Sequence, residues 1–200
     1  MNFLAVDTSA TYLSVVVQKG EQRLPFFTEK AGMKHSTLLL PEIDRALTAA
    51  NLTLKDLDYF AVCIGAGSFT GIRIGVSTIK ALAKSANKPV VAVTAFDTIA
   101  YNKPKEKVLA VINAKHGHYY VAGYGENGVD LPPAYLSESE VIALSAGRKV
   151  LSVEPLEIAS EIVSPLSGLI AATVALFPTA ASAKEIVPLY VRKSQAEEGR

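Results

Sequence analysis

Gly65-Ala66-Gly67-Ser68-Phe69-Thr70-Gly71-Ile72-Arg73-Ile74-Gly75 is a glycine-punctuated turn between an apolar run, Val62-Cys63-Ile64, and a helix-forming stretch. The run suits a buried strand, two glycines allow a tight turn, and Ser68 or Thr70 can cap the helix that follows. A turn of this kind presents free backbone N–H groups at the helix start, where an anion can sit. The spacing predicts a helix from Thr70 to about Lys84, apolar or small nearly all round, with Arg73, Lys80 and Lys84 confined to one stripe. Gly71, Gly75 and Thr78 recur at i, i+4 and i+7, a small-residue face that lets another backbone come close. With so little polar surface, the helix needs cover on two sides: a sheet on one, a second protein on the other. The P-loop pattern requires Lys and Ser/Thr after its last glycine, where Ile72 and Arg73 stand. The nucleophile elbow requires glycines where Ala66 and Thr70 flank Ser68. Ser68 is therefore read as a cap.

Working outward, Phe3-Leu4-Ala5-Val6-Asp7 reads as a strand ending at Thr8-Ser9. Residues 12–18 and 23–29 read as two more strands joined by a hairpin turn at Lys19-Gly20-Glu21. Residues 36–50 form an amphipathic pattern, with Leu39, Ile43, Ala46 or Leu47, and Ala50 on one face, stopped by Asn51 in a left-handed cap. Strands are expected over 58–64 and 89–93, with a short helix over 96–101. Beyond a solvated connector at 103–107, strands are expected over 108–113 and 119–124 around a turn at His116-Gly117. Pro132-Pro133 marks a loop, 138–144 a short helix and 149–153 a strand; 156–163 and 166–177 read as helices. The order β-β-β-α-β-α followed by a weaker echo suggests a degenerate duplication in the α/β class.

At 200 residues the chain can bury about 70% of its unfolded surface, enough for one large domain or two lobes. Twenty basic against nineteen acidic residues leave a net charge of +1, so no global electrostatic footprint for nucleic acid exists. The hydrophobic fraction of 50% is high and points to a partner interface. No apolar run approaches the ~20 residues of a membrane span. The first residues lack a basic leader and cleavage site. Cys63, the single cysteine, permits no internal disulfide, and a cytoplasmic location is expected.

Four segments carry a resemblance. Leu4-Ala5-Val6-Asp7-Thr8-Ser9 with Ser14-Val15, His35-Ser36 leading to Leu39-Leu40-Pro41, Gly67 to Gly75, and Val187-Pro188-Leu189-Tyr190-Val191-Arg192 together resemble the bacterial TsaB (YeaZ) family of threonylcarbamoyladenosine biosynthesis proteins. The match is strong over residues 1 to about 100, patchy to about 125, and returns at the tail. The resemblance implies an actin/Hsp70-like fold of two ribonuclease-H-like lobes, here divided as 1–102 and 103–200. It implies a non-catalytic subunit acting with a TsaD-like catalytic paralogue and a TsaE-like ATPase in threonylcarbamoyl transfer to the tRNA adenosine beside the anticodon. A homodimer is expected when the chain is alone, with tRNA reached only through the complex. In the catalytic paralogue two histidines at i, i+4 hold a metal; here Ala95 and Ile99 stand in their places, so no metal is expected. Relatives commonly show Gly-Pro-Gly at the loop, where this chain has Gly65-Ala66-Gly67, and Asp-Ala-Arg where it has Asn113-Ala114-Lys115. His118 replaces the usual acidic residue after the next glycine.

The candidate residues follow. Asp7, Thr8 and Ser9 occupy the place of the first phosphate loop of actin-like ATPases, so they are nucleotide candidates, set against an ordinary Asx or Ser/Thr turn. The alternative function, an ATPase or phosphotransferase, would use Asp7 and Thr8; otherwise ATP or ADP belongs at the complex interface, with none held by the isolated chain. The expected partner interface is His35, Leu38, Leu39, Ile43, Ile72, Arg73, Gly75, Val76 and Ile79, two apolar helical stripes suited to pairing with the paralogue. On that reading, Ile72→Asp or Leu39→Asp abolishes the heterodimer with the lobes still folded. The loop residues are Gly65, Gly67, Ser68, Thr70 and Gly71. Arg73 and Lys80 could meet tRNA phosphates, but a solvated stripe or salt bridges to the partner suit the +1 balance better. A metallopeptidase lacks ligands: the three histidines are scattered, and His116 and His118 read as a turn.

Overall fold

A computed structural model describes residues 1–192. Two five-stranded mixed sheets carry the same topology. The first holds β1 (Phe3–Asp7), β2 (Leu13–Lys19), β3 (Gln22–Thr28), β4 (Tyr59–Cys63) and β5 (Val90–Val93), in the order β3-β2-β1-β4-β5. The second holds β6 (Val108–Lys115), β7 (His118–Gly125), β8 (Gly128–Ser137), β9 (Lys149–Ser152) and β10 (Glu161–Ile162), in the order β10-β9-β6-β7-β8. In each, the first strand is antiparallel to the second and parallel to the fourth. The duplication read weakly in the sequence is thus strand for strand.

Alternation along the strands decides which helix covers which face. Leu4 and Val6 of β1 point into a core built with α1 (His35–Ala50) and α2 (Phe69–Ala86), contributing Leu39, Ile43, Ile72, Val76 and Ile79. Phe3 and Ala5 point the other way, onto Leu169 and Ala172 of α5 (Pro165–Ala175). In the second sheet Val108 and Ala110 meet Phe96, Ile99 and Ala100 of α3 (Ala95–Ala100), and Leu109 and Val111 meet Val141 of α4 (Glu138–Leu144). The sheets divide near residue 102, but each half lends a helix to the other's sheet. The chain also returns: Ala181 bridges the open edge of β5 at Val90, and Ile186 joins the first core.

Helix ends follow local chemistry. Ser68 caps α2, its hydroxyl accepting from the Gly71 N–H at 3.2 Å, and Asn51 and Asn87 end α1 and α2 in left-handed conformation. Two expectations are corrected. Pro132 and Pro133 lie within β8, because β8 is an edge strand and its register with β7 breaks at them, between the pairs Gly123–Leu131 and Val121–Ala134, so neither missing N–H is needed. Residues 156–163 are not helical: most form irregular chain, and Glu161–Ile162 pair with β9 as an edge strand. Among the described residues, no helix is long and apolar enough to cross a membrane.

Candidate functional site between the lobes

The end of β1 and the start of α2 meet where the two lobes join. Asp7, Thr8 and Ser9 are all buried. Each spends its polar group inside the chain. One Asp7 carboxylate oxygen accepts from the Ser9 N–H at 2.8 Å, and the other from the Tyr12 hydroxyl at 3.2 Å. The Thr8 hydroxyl donates to the Gly71 carbonyl at 2.7 Å, the Cys63 thiol points at the Ser9 hydroxyl at 3.4 Å, and the Ser68 N–H donates to the Ser9 carbonyl at 2.6 Å. Burial pushes the Cys63 thiol and the Tyr12 phenol well up from their ordinary values, with the Asp7 charge adding to both. At Asp7, Thr8 and Ser9 the Asx turn is the alternative present, closed by the Ser9 N–H on the Asp7 carboxylate. These buried side chains form a turn sealed by α2, with no exposed hydroxyl to donate to a phosphate.

The small face of α2 has the same explanation. A Cβ at Gly71 would overlap the Thr8 carbonyl oxygen, and one at Gly75 the Thr8 hydroxyl. The close approach read from the glycine spacing is to the chain's own first loop, not to another protein. Thr78 stays half-exposed.

The proposed docking stripe is likewise corrected. His35, Leu39, Ile43, Ile72, Gly75, Val76 and Ile79 are buried: the five aliphatic side chains cover the first sheet, and Gly75 lies against Thr8. His35 anchors the start of α1, its Nε2–H donating to the Tyr12 carbonyl at 2.9 Å. An aspartate at 39 or 72 would therefore strike the core rather than an interface. Leu38 is half-buried, Arg73 is exposed, and Leu40 is 54% exposed on the outer side of α1.

Facing the loop Gly65–Phe69 is a cleft of about 410 Å³. The β6–β7 hairpin (Lys115, His116, Tyr120) and the returning segment Leu189–Arg192 complete its walls. Lys115 and His116 both take positive φ (70° and 55°) in the tight hairpin, and the Asn113 carboxamide oxygen accepts from the Lys115 N–H at 2.8 Å. His118 stacks on Tyr135 at 4.8 Å. The tail is strapped down. The Leu189 N–H donates to the Ile64 carbonyl at 2.7 Å, and Lys80 Nζ to the Ile186 carbonyl at 2.7 Å. Arg73 Nε donates to the Tyr190 hydroxyl at 2.9 Å while its guanidinium lies 3.8 Å over the Phe69 ring. Sequence reading missed this clamp, for which only the Leu189-Tyr190-Val191-Arg192 motif hinted at a role.

Ala95 and Ile99, in the histidine positions of the catalytic paralogue, are buried in the first turns of α3. Two hydrocarbon side chains offer no lone pair, so the residues do not fit a metal. Among the described residues no group of three or more His, Cys, Asp or Glu is placed to hold one. Asp97 on the same helix is structural. It closes a capping box with Thr94 and accepts from the Tyr124 hydroxyl at 2.7 Å, tying α3 to β7. The Thr94-x-x-Asp97 spacing was the available signal.

A cleft between duplicated mixed sheets with exchanged helices defines an α/β protein of the actin-like fold. The family model for TsaD, the tRNA N6-adenosine threonylcarbamoyltransferase, matches residues 26–154. The tRNA threonylcarbamoyladenosine biosynthesis protein TsaB of Buchnera aphidicola subsp. Schizaphis graminum is 35% identical over 140 residues, 68% of this chain and 66% of its own. A solved Pseudomonas aeruginosa protein described as similar to peptidase YEAZ superposes with a TM-score of 0.79 at 26% identity, covering 96% of this chain and 99% of its own. YeaZ from the same organism gives 0.80 at 24% identity, covering 94% and 99%. The chain belongs to the TsaB (YeaZ) family within this class. Its match spans between about half and two thirds of the length of the curated TsaB relatives.

Proposed function

We propose that this chain is a non-catalytic scaffold subunit of a threonylcarbamoyl-transferring assembly that modifies the adenosine next to the tRNA anticodon. It pairs with a TsaD-like catalytic paralogue and works with a TsaE-like ATPase. The observation that carries the non-catalytic part is the sealed first loop. A chain that spends the Asp7 carboxylate within its own turn, and the Thr8 hydroxyl and Ser9 carbonyl on α2, has no side-chain phosphate ligand left there. The hydrocarbon pair Ala95 and Ile99 supports the same reading. Any nucleotide that takes part is held at the interface with a partner, and the ATPase reading that relied on Asp7 and Thr8 is set aside.

Pairing is assigned to the outer side of α1 and α2, through Leu40, Leu38 and the half-buried Ile74. Removing such apolar area from water stabilises a complex by roughly 25 cal/mol per Å² before the cost of association. The test is co-expression with the paralogue followed by gel filtration. A heterodimer is expected for the parent chain and none for Leu40→Asp, with the variant's circular dichroism unchanged. No complex with the parent chain at micromolar concentration contradicts the proposal.

A further inference from the structure

Seating the first loop accounts for one face of α2 and leaves another unexplained. Arg73, Lys80 and Lys84 line one side of the helix and Lys88 continues the row just past its end, over about 22 Å. The returning segment 180–192 runs beside them. Three openings follow one another along this seam: a broad one of about 1050 Å³ reaching Lys184, one of about 480 Å³ at Pro188, and the 410 Å³ cleft. Lys80 lines the first two, and Arg73, stacked on Phe69, joins the second to the third. With Lys115 and Arg192 in the cleft, the walls carry seven of the chain's twenty Lys and Arg residues. They carry one, Glu185, of its nineteen Asp and Glu.

Such segregation on a chain of net charge +1 needs a reason. Ion pairing does not supply it, for among the described residues Lys84, Lys88, Lys184 and Lys115 form no salt bridge. The helix dipole favours cations at Lys84 and Lys88 but says nothing of Lys184, Lys115 or Arg73. The fold explains three of the seven: Lys80 holds the tail, Arg73 clamps Tyr190, and Arg192 donates to the Tyr135 hydroxyl. At the cleft end the row meets aromatic surface. Phe69 and Tyr190 stack at 4.8 Å and remain 36% and 39% exposed.

We propose that this seam is an RNA track, in which the lysine row neutralises backbone phosphates and unpaired bases stack on Phe69 and Tyr190 at the mouth of the cleft. Rows of cations interleaved with exposed rings suit single-stranded RNA, because phosphate neutralisation is independent of sequence and every base has a π face. An acidic protein would engage the lysines but give the rings no task. The inference rests on reading the chain as part of a tRNA-modifying assembly, and it adds direct contact where the resemblance implied contact only through the complex.

The test uses the complete complex with its paralogue and a fluorescent, unmodified anticodon stem–loop, followed by anisotropy at several salt concentrations. Replacing Lys84, Lys88 and Lys184 together with Glu is expected to weaken binding about tenfold or more and to flatten the slope of log K against log salt by about 2. The triple Gln variant, gentler on the fold, moves both quantities in the same direction by less. Phe69→Ala weakens binding about fivefold with the slope unchanged. Unaltered affinity and slope in both triple variants overturn the inference. So does loss of the complex with unaltered RNA affinity in what remains, since the seam would then be a protein contact. If the parent chain fails to assemble at all, the underlying reading falls first and this one with it.

Discussion

The contact between Thr8 and Gly75 offers a test in which two damaging substitutions should repair each other. Alanine in place of a mid-helix glycine normally adds about 1 kcal/mol of stability. At Gly75 the new methyl would overlap the Thr8 hydroxyl, while its next neighbours, Thr8 Cβ and Val62 Cγ2, stand at an ordinary 3.6 Å. Overpacking of this kind costs about 1–3 kcal/mol, so Gly75→Ala should be destabilising on balance. Thr8→Ala removes the buried hydroxyl that donates to the Gly71 carbonyl, a loss of about 1–2 kcal/mol. It also removes the obstructing atom. In the Thr8→Ala background Gly75→Ala should therefore recover its helix-propensity gain, giving a favourable coupling of about 2 kcal/mol. Gly71→Ala serves as control, because its methyl would strike the Thr8 backbone oxygen, which no side-chain change can move. Urea unfolding followed by circular dichroism reads all five proteins. Additivity within about 0.5 kcal/mol, or a Gly75→Ala variant more stable than the parent, would refute the seating of the loop on α2.

Other outcomes follow from the same packing. Leu39→Asp places a carboxylate in the first core and should unfold that lobe, whereas Leu40→Asp, one residue away on the exposed side, should leave the melting temperature almost unchanged; equal melting would contradict the assignment of faces. Cys63 is buried with its thiol pushed up, so a thiol reagent at pH 8 should label it only on the timescale of unfolding, and rapid labelling of native protein would be inconsistent with its position. Burial pushes the Tyr59 phenol up to about 12. A raised folded-state pKa means the stabilising neutral form is intact below pH 10 and lost as pH rises from about 10 towards 12. Stability measured by urea midpoint should fall across that window, less steeply in Tyr59→Phe; an identical fall in both proteins would remove Tyr59 as a cause.

Much of the first lobe was legible because local chemistry and long-range packing agree there. The α1 stripe of Leu39, Ile43, Leu47 and Ala50, the Asn51 cap and the Gly20-Glu21 hairpin all announce themselves by spacing. What spacing does not reveal is the identity of the surface a stripe meets. Leu39, Ile72, Val76 and Ile79 have the same periodicity whether they face their own sheet or a partner, and here the sheet takes them. The glycines of α2 pose the same problem: a close approach is readable, but its object, Thr8, lies 63 residues before Gly71 in the chain. In the second lobe the local signals are misleading instead. Pro132 and Pro133 look like a loop until β8 is known to be an edge strand, and 156–163 has helical composition yet packs Leu156 and Ile158 on the second sheet as irregular chain. The Arg73–Tyr190 clamp joins residues 117 positions apart, beyond the reach of any periodicity.

The scaffold assignment can be put to one decisive measurement: transfer of threonylcarbamoyl to unmodified tRNA, quantified by mass spectrometry of digested nucleosides, in mixtures from which each protein is omitted in turn. Threonylcarbamoyladenosine should form when this chain, the catalytic paralogue and the ATPase are all present, drop to background when this chain is left out, and persist when Asp7→Asn replaces the parent chain in folded form. Undiminished product without the chain, or product lost with a folded Asp7→Asn protein, would contradict it.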